Sequence, residues 1–249
     1  PAACRDPLVE QLKTMAQLDR GERMQAQVGM IEPSDGDAHP PLQVTTIPTI
    51  GGQEDVVVRR RTRPRLRGLT DLGLTARNLA AYTAAIEQAG GLVLCVGPEA
   101  SGRTTTLHAA LAHLNTPARK ILTAERSVTI TQRGVRQIQV RRTGEPSALS
   151  GLRAIAQADA DVLMVDDLDD SLSARLVVDL AASGMLVLAA TTGSSAWGAV
   201  SRLMSMGIDG DSLADALRGV LVQRLVRRLC SHCMRSSPAD SGQLEWLQR

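Results

Sequence analysis

The sequence predicts an α/β fold: a mostly parallel sheet flanked by helices over residues 77–249, a linker at 67–76, and a smaller α+β domain over residues 1–66. Three observations predict it. After residue 70, short apolar runs alternate with helical runs, the pattern of strands joined by crossover helices. The octet Gly97-Pro98-Glu99-Ala100-Ser101-Gly102-Arg103-Thr104 separates one such strand from one such helix. A second apolar run, Asp161-Val162-Leu163-Met164-Val165, ends on Asp166 and Asp167. In sheets of this kind ligands gather at the carboxyl ends of the strands, which is where both features fall.

In the first segment, residues 8–15 read as a short helix and residues 25–31 and 42–47 as strands. Between them Glu32-Pro33-Ser34-Asp35-Gly36-Asp37 has turn chemistry, because proline presets φ while Asp, Ser and Gly stabilise tight turns. Val56-Val57-Val58 reads as a further strand. Six arginines follow between Arg59 and Arg67, broken by Pro64, and the stretch reads as an extended linker or sheet edge. No aromatic residues are interleaved there for base stacking, so a solvated linker outweighs a nucleic-acid patch. Beyond it, helices are expected at 75–88, 104–114, 149–157 and 172–182, and strands at 92–96, 120–123, 162–165 and 186–190.

A chain of 249 residues exceeds the usual size of one domain. With no Phe, one Tyr and two Trp, its core must be built from aliphatic side chains, which 43% hydrophobic content permits. A net charge of +2 argues against a strongly charged partner, and no nucleic acid is expected. Lys13 and Lys120 are the only lysines among 28 basic residues, so arginine serves wherever a cation is needed. No apolar run approaches the ~20 residues that cross a bilayer and no signal-peptide pattern opens the chain, so the expectation is a soluble, cytoplasmic protein. Because it opens at Pro1 without Met, it is expected to be a fragment of a longer one.

The octet matches the phosphate-binding pattern G-x-x-x-x-G-K-[ST] except at Arg103, which replaces the lysine. A glycine-rich turn leading into a helix aims backbone N–H groups and the helix N-terminus at bound phosphate. The acidic strand end is like a Walker B segment, whose carboxylates hold Mg²⁺ through water or polarise an attacking water. The plainer alternative is a solvated strand-to-helix turn, since Asp169 and Asp170 follow closely. Cys230-Ser231-His232-Cys233 is a lone C-x-x-C. A closed structural zinc site needs four ligands. Cys4 and Cys95 have the wrong spacing to complete it, and Cys95 is better read as a buried strand residue.

Gly91-Leu92-Val93-Leu94-Cys95-Val96 and the octet together resemble the nucleotide-binding region of the type II secretion and type IV pilus assembly ATPases, where a strand precedes G-P-T-G-S-G-K-S-T-T. Three further stretches fit the family in the same order. They are Gly151-Leu152-Arg153-Ala154-Ile155 before Asp159-Ala160-Asp161, then Gly198-Ala199-Val200-Ser201-Arg202-Leu203 before Met206-Gly207-Ile208, and lastly Gly219-Val220-Leu221-Val222-Gln223-Arg224-Leu225-Val226-Arg227-Arg228-Leu229-Cys230. Leu42-Gln43-Val44-Thr45-Thr46-Ile47-Pro48-Thr49 is similar to the sheet of the family's preceding domain, so the resemblance runs from about Leu12 to Cys233.

The resemblance implies a RecA-like P-loop domain in a hexameric motor on the cytoplasmic face of an inner membrane. There, ATP hydrolysis drives pilin or pseudopilin assembly. Its implied partners are inner-membrane platform proteins and further copies of itself or an ATPase paralogue, and its implied cofactors are ATP and Mg²⁺. By matched position, Gly97, Ala100, Ser101, Gly102, Arg103, Thr104 and Thr105 would hold the phosphates, and Arg59 would reach phosphate across a subunit boundary. Thr104 and Asp166 would hold Mg²⁺, while Asp167 and Glu125 would be the catalytic acids. Cys230 and Cys233 match half of a four-cysteine zinc site; the second pair is missing, so zinc is not expected.

Departures from the family pattern gather at the chemistry. Arg103 is a planar fork where the family has a compact point charge. Asp166-Asp167 stand for Gly-Glu, and Glu125-Arg126 for Glu-Asp. Thr192 stands at the histidine of the His box, and Gln43 and Gln157 replace arginines. His39, His108, His113 and His232 lie elsewhere, with His108 and His113 read as surface or packing residues of the helix after the loop. Three functions remain open: a working motor, a degenerate pseudo-ATPase that acts through its contacts, and a nucleic-acid-dependent NTPase suggested only by the arginine run.

Overall fold

The computed structural model describes residues 5–32, 40–60, 65–140, 147–230, 232–236 and 238. The expected turn at 33–37, Arg61, Arg63 and Pro64 of the arginine run, and Cys4 and His39 lie outside them.

In the smaller unit, helix α1 (Arg5–Met15) is followed by strands β1 (Gln27–Ile31), β2 (Leu42–Thr49) and β3 (Gln53–Arg60). These form an antiparallel sheet in the order β1-β2-β3. Its core is small: Ala16, Ile31 and Val44, with Leu12, Leu18, Leu42 and Val56 packed around them. Lys13 is fully buried, donating to the Glu22 carbonyl at 2.6 Å and pairing with Glu54 at 2.6 Å. A buried cation needs such a partner, because its desolvation costs several kcal/mol.

The larger unit is a six-stranded, all-parallel sheet in the order β6-β5-β7-β8-β4-β9. Its strands are β4 (Gly91–Val96), β5 (Ile121–Glu125), β6 (Val135–Gln139), β7 (Val162–Val165), β8 (Leu186–Thr191) and β9 (Leu217–Val222). Every residue of β4, β5, β7 and β8 is buried, as strands covered on both faces require. Alternate side chains enter two cores. Val93, Cys95, Met164 and Leu188 meet α2 (Ala76–Ile86) and α3 (Arg103–Leu114) on one face. Leu92, Leu94, Leu163 and Val187 meet α4 (Ala148–Ala156), α5 (Ser171–Ala182), α6 (Ala196–Ser205) and α7 (Gly210–Ala216) on the other.

Helix starts follow side-chain capping. The Thr75, Ser147, Asp170, Ser195 and Asp209 side chains each accept a hydrogen bond from a backbone N–H in the first turn. Helix α3 differs from these five: its N-cap is Gly102, which has no side chain to offer. Four elements and a 3-10 turn at Leu69–Leu72 go beyond those expected. β6 is a polar edge strand and β9 carries Gly219, so neither shows a long apolar run, while α6 and α7 are announced only by their caps. Leu69 packs into the core beneath α2 and α3, so part of the 67–76 segment is built into the larger unit. Among the described residues no helix is long and apolar enough to cross a membrane.

Candidate functional site: a phosphate loop facing a paired acidic strand end

The loop leaves the carboxyl end of β4 and enters α3. The Gly97 N–H donates to the Thr191 carbonyl at 3.3 Å, and Gly193 N–H donates back to the Gly97 carbonyl at 3.4 Å, which anchors the loop to β8. A Cβ on Gly97 would stand 2.3 Å from Ser101 Oγ and 2.6 Å from the Gln223 carbonyl, so only glycine fits. Gly102 has φ 89° and Ala100 φ 58°. A non-glycine residue in that left-handed region costs on the order of 1–2 kcal/mol, a strain that the surrounding contacts must hold. With Gly102 as its cap, α3 keeps its first N–H groups clear of any capping side chain, and such groups are a ready anion site.

Gln223, just past β9, braces this loop. Its backbone N–H donates to the Val96 carbonyl at 2.8 Å. Its amide nitrogen donates to the Ser101 carbonyl at 2.8 Å, while its amide oxygen accepts from Thr106 Oγ1 at 2.8 Å and from Cys95 Sγ at 3.2 Å. One side chain therefore ties strand, loop and helix together. Sequence reasoning placed Gln223 within a family-like stretch but gave it no role; its partners are more than 100 residues away, beyond the reach of any local pattern.

Opposite the loop, Asp166 and Asp167 follow β7, as the acidic strand end predicted. The Arg126 backbone N–H donates to Asp166 Oδ2 at 2.7 Å. The Arg126 guanidinium pairs with Asp167 Oδ2 at 3.1 Å through Nη1 and with Asp169 Oδ2 through Nη2. Burial pushes the Asp166 carboxyl up to about 6, against the pull of the Arg126 N–H and charge. Burial lowers the pKa of Arg126, but the charges of Asp167 and Asp169 outweigh it and hold the guanidinium above its usual value. Arg103 leans across from the loop, donating through Nη1 to Thr192 Oγ1 at 3.1 Å and standing 4.0 Å from Asp167 Oδ1. The residues at the lysine, Walker B, Asp-box and His-box positions thus meet one another.

Glu125 does not join them through its carboxylate. It is fully buried, with Oε2 3.1 Å from His108 Nε2 and Oε1 accepting from Thr123 Oγ1 at 2.6 Å and Gln137 Nε2 at 2.9 Å. Burial raises its pKa, but those hydrogen bonds and the His108 charge bring it below the usual carboxylate value. His108 is a packing residue, held from its other side by Gln132 at 2.8 Å, and His113 is a surface residue 2.8 Å from Glu87. Arg59 sits on β3 opposite Gln43 with its side chain exposed. Cys95 is buried in β4, and burial pushes its thiol up to about 12, against the charge of Arg103. Cys230 and Cys233 are exposed thiols in a short turn, Cys233 N–H donating to the Cys230 carbonyl at 3.3 Å.

A Mg²⁺ ion is held through one or two carboxylates and its own waters, and cations already paired with those carboxylates compete with it. Here one guanidinium bridges Asp167 and Asp169, a second approaches Asp167, and a backbone N–H occupies Asp166 Oδ2. This acidic group does not fit the ion, and Thr104 at the start of α3 is left as the hydroxyl donor.

Strand, phosphate loop, helix and acidic strand end stand here in the order of a nucleotide-binding core, and the profile of the Type II/IV secretion system protein family matches residues 1–248. The chain belongs to that family. Among curated members it is 38% identical over 239 residues to the putative type II secretion system protein E of Escherichia coli K12, covering 96% of this chain and 48% of that one. It is also 38% identical over 237 residues to the type II secretion system ATPase E of Vibrio cholerae, covering 95% and 47%. The chain therefore spans about half the length of the curated relatives it matches. Among solved structures, the ATPase DotB of Yersinia pseudotuberculosis superposes with a TM-score of 0.68 at 19% identity, covering 88% of this chain and 63% of that one. That likeness shows a shared fold.

Proposed function

We propose that this family member serves a type II secretion or type IV pilus assembly machine as a nucleotide-binding subunit, holding ATP phosphates on the loop amides from Ala100 to Thr105. The observation that carries the proposal is the uncapped α3 N-terminus behind a loop pinned by Gly97 and Gln223. Arg103 is the only loop cation, and it reaches the phosphates by exchanging Thr192 for them. The relatives' names support type II secretion as the setting; in this reading the subunit joins a ring of like subunits at the cytoplasmic face of an inner membrane, docked on platform proteins, with Arg59 of one subunit offered to its neighbour.

A specific observation favours impaired hydrolysis over full motor activity. Asp167 is the acid that would orient the attacking water, and Arg126 and Arg103 both draw on its charge. Misplacing a catalytic group by ~1 Å costs about a hundredfold in rate, and Thr192 supplies no imidazole. The subunit then acts as a nucleotide-gated scaffold beside an active paralogue. A phosphate-release assay on the purified chain tests this: release near background is expected, whereas steady turnover would return the protein to the class of working motors. The arginine run gives a nucleic-acid-dependent NTPase no further support.

A further inference from the structure

We propose that Arg126 stands in for the divalent cation at the acidic strand end, so that nucleotide binds this loop without magnesium. The inference rests on the nucleotide-binding reading above and adds to it the form of the ligand: the free nucleotide rather than its metal complex. Its basis is geometric. A single guanidinium spans Asp167 Oδ2 at 3.1 Å and Asp169 Oδ2, while the backbone N–H of the same residue donates to Asp166 Oδ2 at 2.7 Å. Three acidic residues after the end of β7, Asp166, Asp167 and Asp169, thereby each take a contact from one residue, which directly follows β5 where that strand runs beside β7.

The electrostatics follow directly. In a metal-dependent site the bound ion offsets both the phosphates and the nearby carboxylates. Here the carboxylates are offset by a fixed planar cation whose fork geometry matches paired oxygens. Arg126 is about a third exposed, so its guanidinium is open to solvent while it pairs with Asp167. Arg103, 4.0 Å from the same Asp167, adds a second positive charge facing the loop. A triphosphate entering the site meets two guanidiniums beside the carboxylates, which reduces the repulsion that a metal ion otherwise offsets.

The test is titration of a fluorescent ADP or a slowly hydrolysed ATP analogue into the purified chain, in excess magnesium and in excess EDTA, for wild type, Arg126→Asp and Arg126→Gln. The wild-type dissociation constant should change less than about threefold between the two conditions. In Arg126→Asp the exposed carboxylates should make binding in EDTA weaker by about tenfold or more, with magnesium restoring it, and Arg126→Gln should shift the same way by less. Loss of wild-type binding in EDTA would overturn the inference and leave the nucleotide-binding reading standing. Absence of binding in both conditions would overturn that reading and the inference with it. Should Arg126→Asp fail to fold, the wild-type pair and Arg126→Gln still decide.

Discussion

Glu125 and Asp166 show how environment separates two acids that look equivalent in the sequence. Glu125 lies in a closed network with His108, Thr123 and Gln137, so its role is to hold β5 against α3. Glu125→Gln should lower stability by about 1–3 kcal/mol, the cost of an imperfectly satisfied buried group, and leave nucleotide affinity unchanged; thermal melts and titration check the two halves separately. Asp166 behaves oppositely, because burial raises its folded pKa from 3.8 to about 6. Its folded form binds a proton more tightly than its unfolded form, so its contribution to stability is complete below pH ~4 and is lost as pH rises through about 6. Asp166→Asn keeps an acceptor for the Arg126 N–H and should flatten that slope, which unfolding curves at pH 4 and pH 7 would register. The contrast was not legible in the sequence, since both acids end apolar runs; the partners that distinguish them, His108 and Arg126, come from other elements.

At the scale of elements, the glycine turn between β4 and α3 was legible because its constraint is local: a glycine pattern between a strand and a helix. The fully buried strands β4, β7 and β8 were legible for the same reason, as unbroken apolar runs. β6 and β9 were not, because an edge strand and a strand interrupted by Arg218 and Gly219 show no such run. The element most easily overlooked is the segment after β9, whose Gln223 reaches back across 122 residues to Ser101. Gln223→Ala removes three side-chain hydrogen bonds from the loop's supports. It should weaken nucleotide binding by about tenfold, near 1.4 kcal/mol, with a loss of stability of about 1–3 kcal/mol from the buried groups left unpaired. An unchanged affinity in a folded Gln223→Ala protein would mean that the glycines alone shape the loop.

For the whole molecule, the helix-flanked parallel sheet reproduces the α/β architecture that alternation of runs after residue 70 predicted, and the family follows from residues 1–248. Family membership does not carry the chemistry, because the positions that depart from the pattern meet in space: Arg103, Arg126, Asp167 and Thr192 form one connected group. Their convergence suggests that the substitutions compensate one another electrostatically, each added guanidinium facing a carboxylate. The central claim is that this group still receives nucleotide through Arg103. Its most direct test is calorimetric titration of an ATP analogue into the wild-type chain and into Arg103→Ala. Saturable binding that weakens by about tenfold or more in the variant is the result expected. No binding to the wild type, or equal binding to both proteins, would contradict the account.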